Sequence, residues 1–122
     1  MKKMYNKYEV KKMSQKVYSI EEIKQILANI LQNMPVYSVI LFGSYAQNTA
    51  NKDSDLDLII DTKENLMGFK LYSLITKIEE AFKKNVDGFE KSEIIKDSAI
   101  DKEIKKTGVI VYNQGGLEFG IK

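Results

Sequence analysis

Residues 41–60 read LFGSYAQNTANKDSDLDLII. An apolar run closes on Gly43-Ser44, ten residues intervene, and the next apolar run opens on Asp55-Leu56-Asp57. Side chains alternate faces along a strand, so Asp55 and Asp57 share one face while Leu56 and Leu58 turn to a core. Two carboxylates could be solvated positions at a strand start, but held side by side they repel. A bridging divalent cation removes that penalty, and hard oxygen ligands suit Mg²⁺. At the strand-to-loop junction Gly43, with no side chain, lets backbone N–H groups approach a phosphate closely. A helical turn starting at Ser44 would add free N–H groups and a hydroxyl to that anion site. Metal ligands and phosphate donors then face each other across one cleft, as nucleoside triphosphate chemistry requires.

Working outward, Ile20, Ile23, Ile26, Leu27, Ile30, Leu31 and Met34 recur at helical spacing, with charged and amide side chains opposite. Ser19 with Glu22 reads as a capping box, and Pro35 stops the helix. Residues 36–42 form a buried strand and 56–60 a second, with a loop or one short helical turn between. Met67, Leu71, Leu74, Ile75, Ile78 and Phe82 draw the stripe of a long helix, with Lys83-Lys84 suited to the negative end of its dipole. Residues 86–90 are a third strand and 94–106 mostly helical; Gly108 is the helix C-cap before a fourth strand, 109–112. The order α-β-β-α-β-α-β implies an α/β (α+β) domain, a mixed β-sheet with helices on one side.

At 122 residues, 43% hydrophobic and 30% charged, the chain fits one soluble domain. It has no cysteine and no histidine, which excludes thiolate chemistry and disfavours Ser-His-Asp and zinc-hydrolase mechanisms. Any metal is expected to be held by oxygen. All 19 basic residues are lysine, so bidentate arginine forks for phosphate or guanine are unavailable. The net charge of +2 is no nucleic-acid footprint. It is uneven: residues 1–18 hold six lysines and one glutamate, +5, against 13 lysines and 16 acids, −3, elsewhere. No apolar run approaches the ~20 residues of a membrane span, no leader pattern opens the chain, and a cytoplasmic protein is expected.

Gly43-Ser44, ten residues, then Asp55-Leu56-Asp57 resembles the G-S-x10-D-x-D signature of the DNA polymerase β-like nucleotidyltransferase superfamily, and most closely its minimal nucleotidyltransferases. The likeness spans about residues 19–112, leaving a basic arm at 1–18 and a loose tail at 113–122. It implies the polymerase β-like fold, ATP as substrate and two Mg²⁺ ions, with Asp55, Asp57 and Asp87 as catalytic metal ligands and Gly43 with Ser44 holding the β- and γ-phosphates. Asp87 enters through the resemblance alone, since Asp-Gly is also a routine turn signal. The sequence departs from the family at Gln47-Asn48, where many relatives have Arg-Gly, and at Gly88, where an apolar strand residue is usual. The resemblance further implies an antitoxin that transfers AMP to a tyrosine of a HEPN-domain toxin. Transfer to a small molecule, as in aminoglycoside nucleotidyltransferases, and masking of a toxin by binding alone are the alternatives.

Other polar residues have plainer expected roles. Asp53 lies in the loop and Asp61 about 13 Å beyond Asp57 at ~3.3 Å per residue; both are expected to be solvated. Ser54 reads as a loop hydrogen-bonder, because nothing is present to activate it as a nucleophile. Lys52 is either a triphosphate contact or an ordinary surface lysine. The lysine-rich arm with Tyr5, Tyr8 and Tyr18 reads as a solvated extension, with RNA or a partner as the alternative.

Overall fold

The computed structural model describes residues 14–114; most of the basic arm, with Tyr5 and Tyr8, and nearly all of the tail lie outside them. Helix α1 (Ile20–Leu31) opens on the expected capping box. Ser19 N–H donates to Glu22 Oε1 at 2.9 Å, and Glu22 N–H donates to Ser19 Oγ at 3.1 Å. The helix ends three residues before the expected Met34. Pro35 disfavours helical geometry at Met34, and the chain reverses through Asn33 at φ +66°. Strand β1 (Ser38–Phe42) follows and runs into a single helical turn, α2 (Gly43–Ala46). Strand β2 (Leu56–Asp61) returns antiparallel to β1.

Helix α3 (Phe69–Phe82) then crosses to β3 (Val86–Glu90), which lies parallel to β2 as a crossover allows. A 3-10 turn (Lys91–Glu93), helix α4 (Ala99–Thr107) and β4 (Val109–Asn113), antiparallel to β1, complete the domain. The sheet order is β3-β2-β1-β4, so the mixed sheet is as expected.

The placement of helices is not. Ile23, Leu27 and Leu31 of α1 and Leu71, Leu74, Ile78 and Phe82 of α3 bury one face against Val39, Leu41, Leu56, Leu58 and Ile60. Helix α4 covers part of the other face, where Ile104 and Ile40 line one hollow. The helices therefore flank both faces. Alternation decides this: Ile40 and Ile59 are cross-strand partners on the face opposite that core, and α4 is their cover.

Two helix boundaries also moved. Helix α4 begins at Ala99 rather than near 94, because Asp97 takes φ +66° and Ser98 caps the helix by accepting from Asp101 N–H at 3.2 Å. Met67, expected on the α3 stripe, precedes the helix and is partly exposed. Gly108 does end α4, donating its N–H to the Ile104 carbonyl at 2.8 Å. In β3, a Cβ on Gly88 would stand 2.9 Å from Ile75 Cδ1, so the missing side chain lets α3 settle onto this strand.

Candidate active site

The register brings most of the expected residues together. Phe42 is the cross-strand partner of Asp57, and Asp57 is the partner of Asp87 on the other side. Asp55 lies just before β2 with the same parity as Asp57. Gly43 directly follows Phe42 at φ +74°, and a Cβ there would collide with Asp57 Oδ2. A glycine is thus required twice over, for the left-handed turn and for the carboxylate packed against it. Ser44 opens the first turn of α2 beside it. The turn is closed by Gln47 N–H, shared between the Gly43 carbonyl at 3.3 Å and that of Ser44 at 3.2 Å.

The electrostatics are those of crowded carboxylates. Burial, then the charges of Asp87, of Asp55 and of Glu103 on α4, and last a side-chain hydrogen bond with Asp87, push the Asp57 carboxyl up to about 6. Asp55 is also raised, first by burial, then by Asp87, with Lys84 among the groups that offset the rise. Among the described residues no three acidic groups stand at the spacing of a metal-ligand cluster, although the Asp57 and Asp87 carboxyls lie within hydrogen-bonding reach of each other. The donor set fits Mg²⁺ in kind: all oxygen, anionic, and destabilised by mutual repulsion that a dication relieves.

Lys84 was misread in the sequence. It does not serve the α3 dipole; Lys83 caps that helix at φ +57°, and Lys84 folds inward with 4% of its surface exposed. Its Nζ donates to the Lys52 carbonyl at 2.6 Å. Burial lowers its pKa, and the charges of Asp53 and Asp55 pull it back up. Within the loop, Asn51 Oδ1 accepts from Asp53 N–H at 2.8 Å and Asn51 N–H donates to Ser54 Oγ at 2.9 Å, so Ser54 is the loop hydrogen-bonder expected. Lys52 and Asp53 are exposed and 3.5 Å apart. Asp61 is not solvated: its carboxylate accepts from Lys63 N–H at 3.0 Å and its side chain is 16% exposed.

Two acids behind the site went unnoticed in the sequence. Glu79, one turn before the end of α3, accepts from Val86 N–H at 2.9 Å and so fixes the start of the strand that carries Asp87. Glu90 ends that strand; its Oε2 accepts from Thr62 N–H (2.8 Å), Thr62 Oγ1 (2.6 Å) and Glu64 N–H (3.2 Å), and its Oε1 from Ser92 N–H (2.7 Å). A lone glutamate at a strand end has no periodic signal that could have revealed this role.

The loop departures have a structural account. Asn48 takes φ +61°, a conformation that glycine adopts freely and asparagine tolerates better than most residues. Gln47 is exposed, and its Nε2 turns back toward the Gly43 carbonyl at 3.5 Å.

Residues 21–115 match the family model described as polymerase beta, nucleotidyltransferase. Two Methanocaldococcus jannaschii proteins, provisionally named protein adenylyltransferases, are 32% identical over 80 residues and 35% identical over 69. The matches cover 62% and 57% of this chain and 82% and 74% of those proteins. Among solved structures, a chain of a toxin-antitoxin complex with AMP-PNP superposes with a TM-score of 0.64 at 20% identity, covering 79% of this chain and 78% of its own. A chain from the complex of tri-AMPylated Shewanella oneidensis HEPN toxin with MNT antitoxin gives 0.54 at 16%, covering 81% and 73%. At those identities the structural likeness speaks for the fold.

Proposed function

Because the chain belongs to the polymerase beta nucleotidyltransferase family, we propose that it is a Mg²⁺-dependent adenylyltransferase that moves AMP from ATP to a tyrosine hydroxyl of a HEPN-domain toxin, and so acts as its antitoxin. The observation that carries this reading is the line Gly43, Asp57, Asp87 across three adjacent chain segments, with Asp55 two residues before Asp57 along the chain. The related names and complexes supply the acceptor class: protein adenylyltransferase among the relatives, and an AMPylated HEPN toxin beside an MNT antitoxin among the structures.

In this reading Asp55 and Asp57 hold the metal ions, and Asp87 completes the set on the side of the attacking hydroxyl. Magnesium, when bound, offsets charge on the phosphate oxygens and acidifies the acceptor hydroxyl. Gly43 and Ser44 receive the β- and γ-phosphates, the backbone approaching closely because no Cβ intervenes. The tyrosine oxygen forms a bond to the α-phosphorus while the bond from that atom to the bridging oxygen breaks, and pyrophosphate leaves. The tyrosine proton passes to a carboxylate of the site or to water, since the chain has no histidine to take it.

A second reading has one observation in its favour. Gln47 replaces a cation common in the family and points back at its own turn, as would suit an antitoxin that keeps its interface and acts by masking. The two are separated by the intact mass of the cognate HEPN toxin after incubation with Mg²⁺-ATP. Transfer predicts an added AMP on a tyrosine with the native protein and none with Asp55→Ala/Asp57→Ala. Silencing of the toxin by both proteins at unchanged mass would reject the enzyme in favour of the mask.

A further inference from the structure

A cavity of about 240 Å³ opens on the same sheet face as Asp57, floored by Ile40 and Ile59 and walled by Ile94 and Ile104. Ile40 and Ile59 are cross-strand partners, and they form the next pair on this face after Phe42 and Asp57. The pairs are two positions apart along the strand, about 7 Å.

We infer that this cavity seats the nucleobase of the nucleoside triphosphate, and that its size and lining favour a purine. The inference rests on the reading of Asp55, Asp57 and Asp87 as the transfer centre. In-line transfer places the attacking and leaving oxygens on opposite sides of the α-phosphorus. The phosphate turn at Gly43-Ser44 follows Phe42 on one side of Asp57, and Asp87 stands on the other. The reaction axis therefore crosses the strands. The oxygen that joins the α-phosphate to ribose leaves at a steep angle to that axis, along the strands or away from the sheet.

Along the strands there are two exits. One passes Asp55 into a hollow of about 260 Å³, lined by Lys52, Asp53, Lys84 and Asn85 among other polar groups. Every residue that lines it is polar or charged, so it offers a ring no apolar side chain to lie against, only the stems of lysines. The other leads over Ile59 into the isoleucine-lined cavity. Ligand sites commonly hold flat rings this way, between apolar surfaces with a few polar groups at the edge. Here the polar groups are Lys91, Lys96 and the pair Asp101 with Lys105, whose Nζ lies 3.0 Å from Asp101 Oδ2. That pair offers one acceptor and one donor, and adenine presents an amino donor beside ring-nitrogen acceptors.

The test is methyl NMR on the native protein with isoleucine δ1 carbons labelled, titrated with Mg²⁺-ATP and separately with Mg²⁺-tripolyphosphate. The ring current of a seated purine is expected to move the Ile59, Ile94 and Ile104 methyls with ATP and not with tripolyphosphate, while Ile23 and Ile78 on the opposite face stay in place. In parallel, Ile94→Trp should fill the cavity and weaken ATP binding by at least ~10-fold, about 1.4 kcal/mol, with tripolyphosphate affinity unchanged. If both ligands bind but these methyls ignore ATP, or if Ile94→Trp binds ATP as tightly as the native protein, the seat is wrong and the transfer centre stands. If neither ligand binds the native protein, the transfer centre fails and the seat fails with it.

Discussion

Lys84 Nζ donates to the Lys52 carbonyl at 2.6 Å, across 32 residues of chain. The contact pins the loop that leads into Asp55 to the segment that leads into Asp87. It places a buried cation where it partly offsets the charge of Asp55. Asp57 and Asp87 are held by ladder pairing, whereas Asp55 precedes the strand and is held by this loop together with a side-chain hydrogen bond with Asn85.

Lys84→Met is therefore expected to cost about 1.5 kcal/mol of stability, the low end for a hydrogen bond from a charged donor, because the carbonyl can turn to water. It is expected to weaken Mg²⁺ binding at the ATP site far more, by about 10- to 100-fold in metal affinity, as loss of a positioning contact typically does. Urea unfolding and Mg²⁺ titrations of ATP binding measure the two. Equal Mg²⁺ dependence in native and variant protein would make the contact purely structural.

Glu90 sets the acid limit. It is 1% exposed; burial would raise its pKa, but the hydrogen bonds from Thr62 and Ser92 outweigh that and hold it at about 2. The folded value lies below the unfolded one, near 4.5. The stabilisation is therefore complete above the unfolded value and is lost as pH falls toward 2. The full difference is on the order of 3 kcal/mol. Glu90→Gln sets an amide donor against N–H and O–H donors and should lower stability by about 2–3 kcal/mol at neutral pH. The loss should shrink in acid, where the native carboxyl also protonates. A stability deficit constant from pH 3 to 7 would contradict this.

The phosphate turn offers a gain. Gln47→Arg with Asn48→Gly restores a cation beside Gly43-Ser44 and relieves a left-handed asparagine at φ +61°. Triphosphate binding should tighten by about 1.5 kcal/mol if the guanidinium reaches a phosphate. Calorimetric ATP affinity that does not change would place residue 47 in solvent, away from the nucleotide.

The legible parts of this fold were those with a repeating or spaced signal. The α1 capping box, the α3 stripe from Leu71 to Phe82 and the strands around Asp57 follow from periodicity and from the polar residues that interrupt it. The spacing from Gly43 to Asp57 pointed to a candidate site, and the strand register does set Gly43 against Asp57. What could not be read depended on partners distant in sequence. Lys84 looked like a helix-end cation because its acceptor is a backbone carbonyl, which no residue type encodes. Glu90 and Glu79 gave no signal in the sequence, because their hydrogen-bond donors lie elsewhere along the chain. The α4 boundary failed because local capping by Ser98 overrode an apolar residue, Ile94, that turned out to line a cavity. The face covered by α4 could not be assigned because Ile40 and Ile59 read as core on either side of the sheet.

The last prediction concerns the cost of the site itself. Asp57 and Asp87 are direct partners in the ladder, and like charges in opposed positions destabilise a sheet by several tenths of a kcal/mol. Asp57→Asn removes that repulsion with little change of shape. The variant, assayed in chelator at neutral pH, is therefore expected to unfold at a temperature equal to or above that of the native protein. The same substitution removes a ligand. Mg²⁺-ATP should raise the unfolding temperature of the native protein, because a ligand that binds only the folded state stabilises it by mass action, and should leave Asp57→Asn unmoved. Both halves are read by differential scanning calorimetry. A variant less stable than the native protein in chelator would mean that the Asp57 carboxylate supports the fold, and an undiminished Mg²⁺-ATP shift would remove it from the metal site.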